Sequence, residues 1–247
     1  MVRKSSVRLF VNETLAEGAS LELTRDAAHY LSNVMRLGVG DPIVLFNGRD
    51  GEWQGTIRRA TRKGCTVGLL GSLRSQPVEL DVWIAAALVK RARMDFLVEK
   101  ATELGVTRIV PVTTRRTVVS RANVNRLNLR ATEAAEQCGR LSVPEVMEVQ
   151  ELELFLASLD AGSQVLWCDE SGDSPAVNAV LARLSKTDHS GPWILLTGPE
   201  GGFDQSERKL IGGHAKVTGI DLGRHVLRSE TAATVALGIF QAWMAGS

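Results

Sequence analysis

The sequence predicts an α/β protein in two parts: a small β-barrel over residues 1–75, then an α/β domain with a mostly parallel sheet over residues 76–247. Three observations predict it. Short β-type segments separated by glycine-bearing turns fill the first part. From residue 80 strands and helices alternate. Between the two, Ser72–Pro77 is polar and ends in proline, so it interrupts both rhythms and reads as the linker. With 44% hydrophobic and 23% charged residues, a chain of 247 residues can bury such a core, and global disorder is excluded.

Taken in order, Val7–Val11, Ile43–Phe46, Glu52–Ile57 and Cys65–Leu70 are the strand candidates of the first part. Gly38-Val39-Gly40-Asp41, Asn47-Gly48 and Lys63-Gly64 supply turns, and Asp26–Met35 is the one helical stretch expected there. In the second part Leu80–Leu88 is a strand. Met94, Leu97, Val98, Ala101 and Leu104 then recur at helical spacing, and Gly105 stops that helix. Arg108–Val112 is the next strand, followed by a helix from about Val124 to Gly139. Val165–Cys168, Trp193–Thr197 and Val217–Leu222 are three more buried strands. Ala232, Val235, Ala236, Ile239, Phe240 and Trp243 line one face of a last helix. Strands that alternate with helices are joined by crossovers, and crossovers make parallel neighbours.

The net charge of +1 hides an uneven distribution. Residues 1–76 carry 11 Lys and Arg against 7 Asp and Glu, and residues 89–140 carry 11 against 5. Residues 141–247 reverse the balance, with 7 against 14. Most of the basic residues are arginine, whose planar fork suits phosphates and base edges. The first half therefore predicts a polyanion-facing surface, with an ordinary solvated basic face as the plain alternative. The apolar run Trp83–Val89 is too short to cross a bilayer. The basic start at Met1–Lys4 leads into Val7-Arg8-Leu9-Phe10 rather than a signal-peptide core, so a soluble, cytoplasmic protein is expected. Cys65, Cys138 and Cys168 are scattered, fitting neither a disulfide framework nor a zinc site, and no metal is expected.

Common catalytic signatures are absent: no GxxxxGK[ST], no GxGxxG after a strand, no HExxH, GxSxG or CxxC. What remains sits at two strand ends. The first is Leu196-Thr197-Gly198-Pro199-Glu200-Gly201-Gly202-Phe203-Asp204, a loop with three glycines, after which Asp204 and Glu207 have capping-box spacing. Glycine lets backbone approach a ligand, and ligands of open α/β sheets bind at the carboxyl ends of strands. A tight strand–helix turn would explain one or two of the glycines but not Glu200 between Pro199 and Gly201. The second is Leu222-Gly223-Arg224-His225-Val226-Leu227-Arg228-Ser229-Glu230-Thr231-Ala232, where Ser229 could cap the last helix. Arg228 and Glu230 could simply neutralise each other at the surface. Two such loops within about thirty residues favour a shared pocket. A polar stripe, Arg126, Arg130, Glu133, Gln137 and Arg140, runs along one helix, as an ordinary solvated face would, and Arg115-Arg116, just past a strand, lean it toward an anionic ligand. His29 and Arg36, seven apart, are expected on one helical face.

An ordered series of these segments resembles the bacterial family that methylates N3 of a uridine in small-subunit (16S) ribosomal RNA. Its pieces are Arg8-Leu9-Phe10, His29–Arg36, Gly40-Asp41, Phe46-Asn47-Gly48, Lys90, Lys100–Val106, Pro111, Arg116–Val119 and Glu133–Arg140, with the two loops closing the set. Cys138 departs from the small serine usual there, and Leu127 from a common aromatic. The resemblance implies a PUA-like β-barrel that binds RNA, then a SPOUT-class methyltransferase domain with a C-terminal trefoil knot, usually homodimeric, using S-adenosylmethionine. It implies that Leu196, Thr197, Gly198, Pro199, Glu200, Gly201, Gly202, Leu222, Gly223, Leu227, Arg228, Ser229, Thr231 and Ala232 cradle the cofactor. Arg228, Glu230 and Glu200 would be catalytic, and Arg8, His29, Arg36, Lys90, Arg116, Gln137 and Arg140 would bind RNA. The rivals are a SPOUT enzyme with a ribose 2′-O acceptor, a non-catalytic RNA-binding module, and a nucleotide-binding metabolic enzyme.

Overall fold

In the computed structural model, residues 7–61, 64–184 and 190–246 are described. They fall into two compact units, residues up to Val78 together with Ala135–Val143, and Glu79–Ala134 together with Pro144 onward. The return of residues 135–143 to the first unit is what a linear reading with one boundary at residue 75 leaves out.

The first unit is a five-stranded sheet. Its strands are β1 (Val7–Phe10), β2 (Ser20–Leu23), β3 (Pro42–Phe46), β4 (Glu52–Thr61) and β5 (Gly64–Arg74), in the order β1-β3-β4-β5-β2. β1 pairs parallel with β3 and every other neighbour is antiparallel. Leu9, Leu21, Leu23, Ile43, Leu45, Ile57, Val67 and Leu69, drawn from all five strands, share one buried cluster. β2 is absent from the sequence prediction: four residues, Ser-Leu-Glu-Leu, carry too short an alternation, and it becomes a strand by pairing with β5. The expected turn at residues 38–41 is held by the Asp41 carboxylate, which accepts the Gly38 N–H at 2.7 Å.

The helical stretch expected over Asp26–Met35 divides. An α-helix, α1 (Arg25–His29), passes into a π turn at Tyr30–Val34, and Arg36 follows with φ 55. Left-handed backbone at a non-glycine residue is uncommon. The wider π turn and that reversal break the sevenfold spacing, so His29 and Arg36 do not lie on one α-helical face, although both are exposed.

The second unit is built on a parallel sheet. Along the chain come β6 (Val82–Ala87), α2 (Arg91–Glu103), β7 (Arg108–Thr113), α3 (Val124–Cys138), β8 (Glu145–Val146), β9 (Gln150–Glu151) and α4 (Leu152–Ala157). They are followed by β10 (Gln164–Cys168), α5 (Val177–Leu181), β11 (Trp193–Thr197), α6 (Gln205–Gly212), β12 (Val217–Ile220) and α7 (Ser229–Ala245). Strand order is β12-β10-β11-β6-β7-β8, with β9 also on β7 and all pairings parallel. The central strands are buried on both faces, which is why they read as continuous apolar runs. α2 ends as expected: Gly105 has φ +83, its N–H reaches the Thr102 carbonyl and that of Val106 reaches Ala101, a Schellman closure.

The last helix differs in part from its expected face. Its buried positions are Ser229, Glu230, Ala233, Ala236, Leu237 and Phe240, so Ala236 and Phe240 of the predicted stripe are buried as expected, while Ala232, Val235, Ile239 and Trp243 are half-buried. α7 is apolar nearly all round, so periodicity alone could not choose its packed side. It packs on α2, β11 and β6. Among the described residues no helix is long and apolar enough to cross a membrane.

Candidate functional site

Three neighbouring parallel strands, β11, β10 and β12, end at the same edge of the sheet and deliver three loops there. This is where an α/β sheet binds ligands. Two of the loops are those predicted from sequence. The third, after β10, is not: it begins Asp169-Glu170-Ser171-Gly172, the same strand-then-polar-loop signature, but only the strand order reveals that β10 lies between the other two.

The β10 loop is fastened by a buried carboxylate. Asp169 accepts from the Ser171 N–H at 3.0 Å, the Ser171 hydroxyl at 2.8 Å, the Ser174 hydroxyl at 2.7 Å and Arg208 at 2.8 Å. Burial by itself would raise the Asp169 pKa; these hydrogen bonds outweigh it and hold the carboxyl below its ordinary range. The adjacent Cys168 thiol is pushed up to about 12, first by burial and then by Glu170, so it is a neutral wall rather than a nucleophile.

The β11 loop is fastened from its far side. Asp204 and Glu207 complete the capping box of α6, and Glu207 also accepts the Arg115 N–H at 2.7 Å. Gly202 has φ +66, left-handed backbone that favours glycine, and it lies against the Glu170 side chain of the β10 loop.

The β12 loop turns at Gly223, with φ +126 and its N–H on the Asp221 carboxylate at 2.9 Å, and runs into α7. Arg228, not Ser229, is the N-cap residue; its carbonyl accepts the Ala232 N–H, while its side chain is exposed with no hydrogen bond or ion pair among the described residues. Ser229 is buried in the first turn, which corrects its expected capping role. Glu230 is buried beside it.

Between the β10 and β12 loops lies a cleft of about 370 Å³, lined by residues 168–172, 221–227 and Ala232. Of the predicted cofactor residues it gathers Leu222, Gly223, Leu227 and Ala232. Pro199, Glu200 and Gly201 instead line a second cleft of about 270 Å³, with Lys90 and Arg116 among its other walls. Leu196 and Thr197 are buried at the end of β11, Gly198 is half-buried against the Phe203 ring, and Thr231 is exposed. Three buried polar atoms at these loops have no hydrogen-bond partner: Thr197 Oγ1, Ser229 Oγ and Glu230 Oε2. Leaving such atoms dry costs about 1–3 kcal/mol each, and a polar ligand removes the cost. The donor and acceptor groups of the loops, with the apolar Leu222, Leu227 and Ala232, suit a nucleoside carrying a charged tail.

Sequence reasoning missed Arg93. It stands on the polar side of α2 and bridges both predicted catalytic carboxylates, bound to Glu200 and 3.7 Å from Glu230 Oε1. Its partner Glu200 is 107 residues away in the chain, beyond any local pattern.

The residues predicted to bind RNA divide between the units. In the second, Lys90 is exposed at the start of α2, and Arg116 donates to the Gly201 carbonyl at 2.9 Å. In the first, His29, Arg36 and Gln137 are exposed and Arg140 is half-buried. Arg8 is redirected. Its guanidinium donates to Glu52 and to the carbonyls of Ala135, Glu136 and Arg140, and lies 4.5 Å over the Phe46 ring, so its donors hold the protein together rather than RNA. Among the described residues no group of three or more His, Cys, Asp or Glu could hold a metal ion.

The model of an RNA methyltransferase domain matches residues 76–241, and that of an RNA methyltransferase PUA domain matches residues 23–70. The chain is 32% identical to ribosomal RNA small subunit methyltransferase E of Rickettsia conorii over 93% of each chain. It is 28% identical to the Bacillus subtilis protein of the same name, over 93% of this chain and 94% of that one. Among solved structures, that of ribosomal RNA small subunit methyltransferase E from Neisseria gonorrhoeae, bound to S-adenosylmethionine, superposes with a TM-score of 0.86 at 25% identity, covering 96% and 97% of the two chains. A Legionella pneumophila protein in complex with its bound cofactor S-adenosylmethionine gives 0.85 at 28% identity, with the same coverage.

Proposed function

The chain belongs to the RNA methyltransferase family whose domain spans its residues 76–241, and from that membership we propose how it acts. It is an S-adenosylmethionine-dependent ribosomal RNA methyltransferase of the small subunit, and its acceptor is N3 of a uridine. The three loops on adjacent strand ends, with unpartnered Thr197, Ser229 and Glu230 atoms beside them, carry this reading.

S-adenosylmethionine, when bound, supplies a methyl group already activated for transfer. Leu222, Gly223, Leu227 and Ala232 would hold it, with Leu196, Thr197, Gly198, Gly201, Gly202, Ser229 and Thr231 completing the cradle. The protein must then orient the acceptor and make it nucleophilic. A uridine N3–H is a weak imide acid, and removing its proton leaves negative charge on O2 and O4. The free guanidinium of Arg228 stabilises that charge. Glu230 or Glu200 takes the proton, and Arg93 orients both carboxylates. Lys90 and Arg116 in one unit, and His29, Arg36, Gln137 and Arg140 in the other, bind RNA phosphates or bases.

The division of labour follows: residues 1–75 bind RNA as a PUA-like domain and residues 76–247 transfer the methyl group as a SPOUT domain. We place a trefoil knot at its end; the return of α7 from β12 to β11 and β6 supports it. The half-buried apolar residues Val235 and Ile239 of α7 support a homodimer. The protein acts in the cytoplasm, where ribosomal RNA is made.

Incubation with labelled S-adenosylmethionine and small subunits from cells lacking the modification, followed by digestion to nucleosides, is expected to place the label in 3-methyluridine. Label in a ribose-methylated nucleoside would overturn the acceptor, and none at all would overturn the substrate. Asp169→Asn tests the cofactor cleft. An amide cannot accept from two serines, a backbone N–H and Arg208 together, so S-adenosylmethionine affinity is expected to fall about tenfold by equilibrium dialysis. Unchanged affinity would remove the β10 loop from the binding site.

A further inference from the structure

The second cleft opens at the carboxyl ends of β6 and β7 and on the β11 loop, so two further strands, next to β11 in the sheet, contribute to it. Its walls are apolar: Leu88 and Val89 after β6, Val118 and Val119 after β7, and Pro199. Val118 is 88% exposed, an apolar side chain left in water at the mouth. Lys90, Arg116 and Glu200 give the rim its charge. The cleft between the β10 and β12 loops shares no residue with it, and of the residues proposed for the cofactor cradle only Gly201 borders it.

We propose that this cleft receives the target pyrimidine, turned out of its stack, and that Glu200 reads the base as uracil rather than cytosine by accepting its N3–H. The proposal rests on the uridine-N3 reading above and adds the pocket and the residue that selects the base.

Apolar walls suit the faces of an unstacked base, and enzymes that act on a base edge extract it into pockets. The rim fits the uracil edge. That edge runs acceptor, donor, acceptor, from O2 through N3–H to O4. Glu200 offers a carboxylate acceptor; Arg93, bound to it, and Arg116, tethered by one hydrogen bond to the Gly201 carbonyl, offer donors on guanidinium groups. Cytosine presents a bare lone pair at N3, which the carboxylate repels. The Glu200 side chain is 43% exposed, so it remains within reach of an incoming base. Arg93 is the positioning residue. By pairing also with Glu230, whose second oxygen is buried and unpartnered, it couples the base-reading carboxylate to the first turn of α7. Lys90 and Arg116 supply cations for the flanking phosphates.

The test uses the full-length protein and two probes, uridine 5′-monophosphate and cytidine 5′-monophosphate, titrated by calorimetry or ligand-observed NMR. The uridine nucleotide is expected to bind about tenfold more tightly, the low end for a base-edge contact on a partly exposed rim. Glu200→Gln is expected to bring the ratio close to one, because an amide both accepts from N3–H and donates to a lone pair. Val119→Trp fills the cleft and is expected to abolish uridine nucleotide binding while S-adenosylmethionine binds as in the parent. Equal binding of the two nucleotides, no saturable binding, or preference unmoved in Glu200→Gln would overturn the proposal. The label-transfer experiment fails separately. A uracil-selective cleft in a chain that labels no ribosomal RNA would keep this inference and remove the methyltransferase reading, and 3-methyluridine formation with an unselective cleft would do the reverse.

Discussion

Arg228→Ala is expected to lower methyl transfer about 10²–10³-fold in kcat, the effect of removing one preorganised donor from a developing anion. S-adenosylmethionine affinity and thermal stability should stay near those of the parent. The asymmetry comes from where Arg228 sits. Its backbone carbonyl anchors α7, and any residue keeps that bond. Its side chain is exposed and takes no partner among the described residues, so truncation leaves no buried group unsatisfied. Arg228→Lys should recover only part of the loss, because a point charge replaces a directed fork. Single-turnover rates with saturating RNA separate the readings. A loss confined to KM for RNA would make Arg228 a phosphate contact. Intact turnover at unchanged cofactor affinity would remove it from the chemistry.

Much of this architecture is legible along the chain because it is local. Buried parallel strands announce themselves as apolar runs, Gly105 ends α2 with a backbone conformation glycine adopts easily, and Asp204 closes a capping box with Glu207 three residues on. The resemblance adds the class of chemistry. What stays hidden is set by neighbours distant in sequence. The strand order that puts β10 between β11 and β12 is a tertiary fact, so the strand-then-polar-loop signature of the Asp169 loop does not by itself place it in the site. Arg93 looks like an ordinary solvated residue on the polar side of a helix until Glu200 and Glu230 are folded against it. Arg8 misleads for the same reason. An arginine near the start of a basic first domain points to phosphate, whereas its three carbonyl partners lie 127 to 132 residues further on.

Arg8→Ala is accordingly expected to act on stability first, by about 3 kcal/mol, the lower part of the range for removing one partner of a buried pair. Glu52, only 9% exposed, is held at 2.8 Å by Arg8 and at 2.7 Å by Arg74, so the variant leaves it one cation rather than none. The carbonyls of Ala135, Glu136 and Arg140 lose their shared donor, and the segment returning to the first unit keeps Arg74 on the Gly139 carbonyl and the small cluster of Phe46, Ala135 and Leu141. Burial would raise the Glu52 pKa, but the hydrogen bonds from Arg74 and Arg8 outweigh it and leave the carboxyl below its ordinary range. A depressed carboxylate stabilises fully above the unfolded value, about 4.3 for glutamate, and that contribution disappears as pH falls through the folded one. The gap between parent and Arg8→Ala should therefore be widest near neutrality and narrow in acid, while Glu52→Gln flattens the acid limb. Urea unfolding across pH 3 to 7, with hydrogen exchange followed at residues 135–143, reads both effects. A gap that does not change with pH would mean that the pair with Glu52 contributes little. No loss of stability at any pH would free Arg8 from its structural role and return it to the RNA surface.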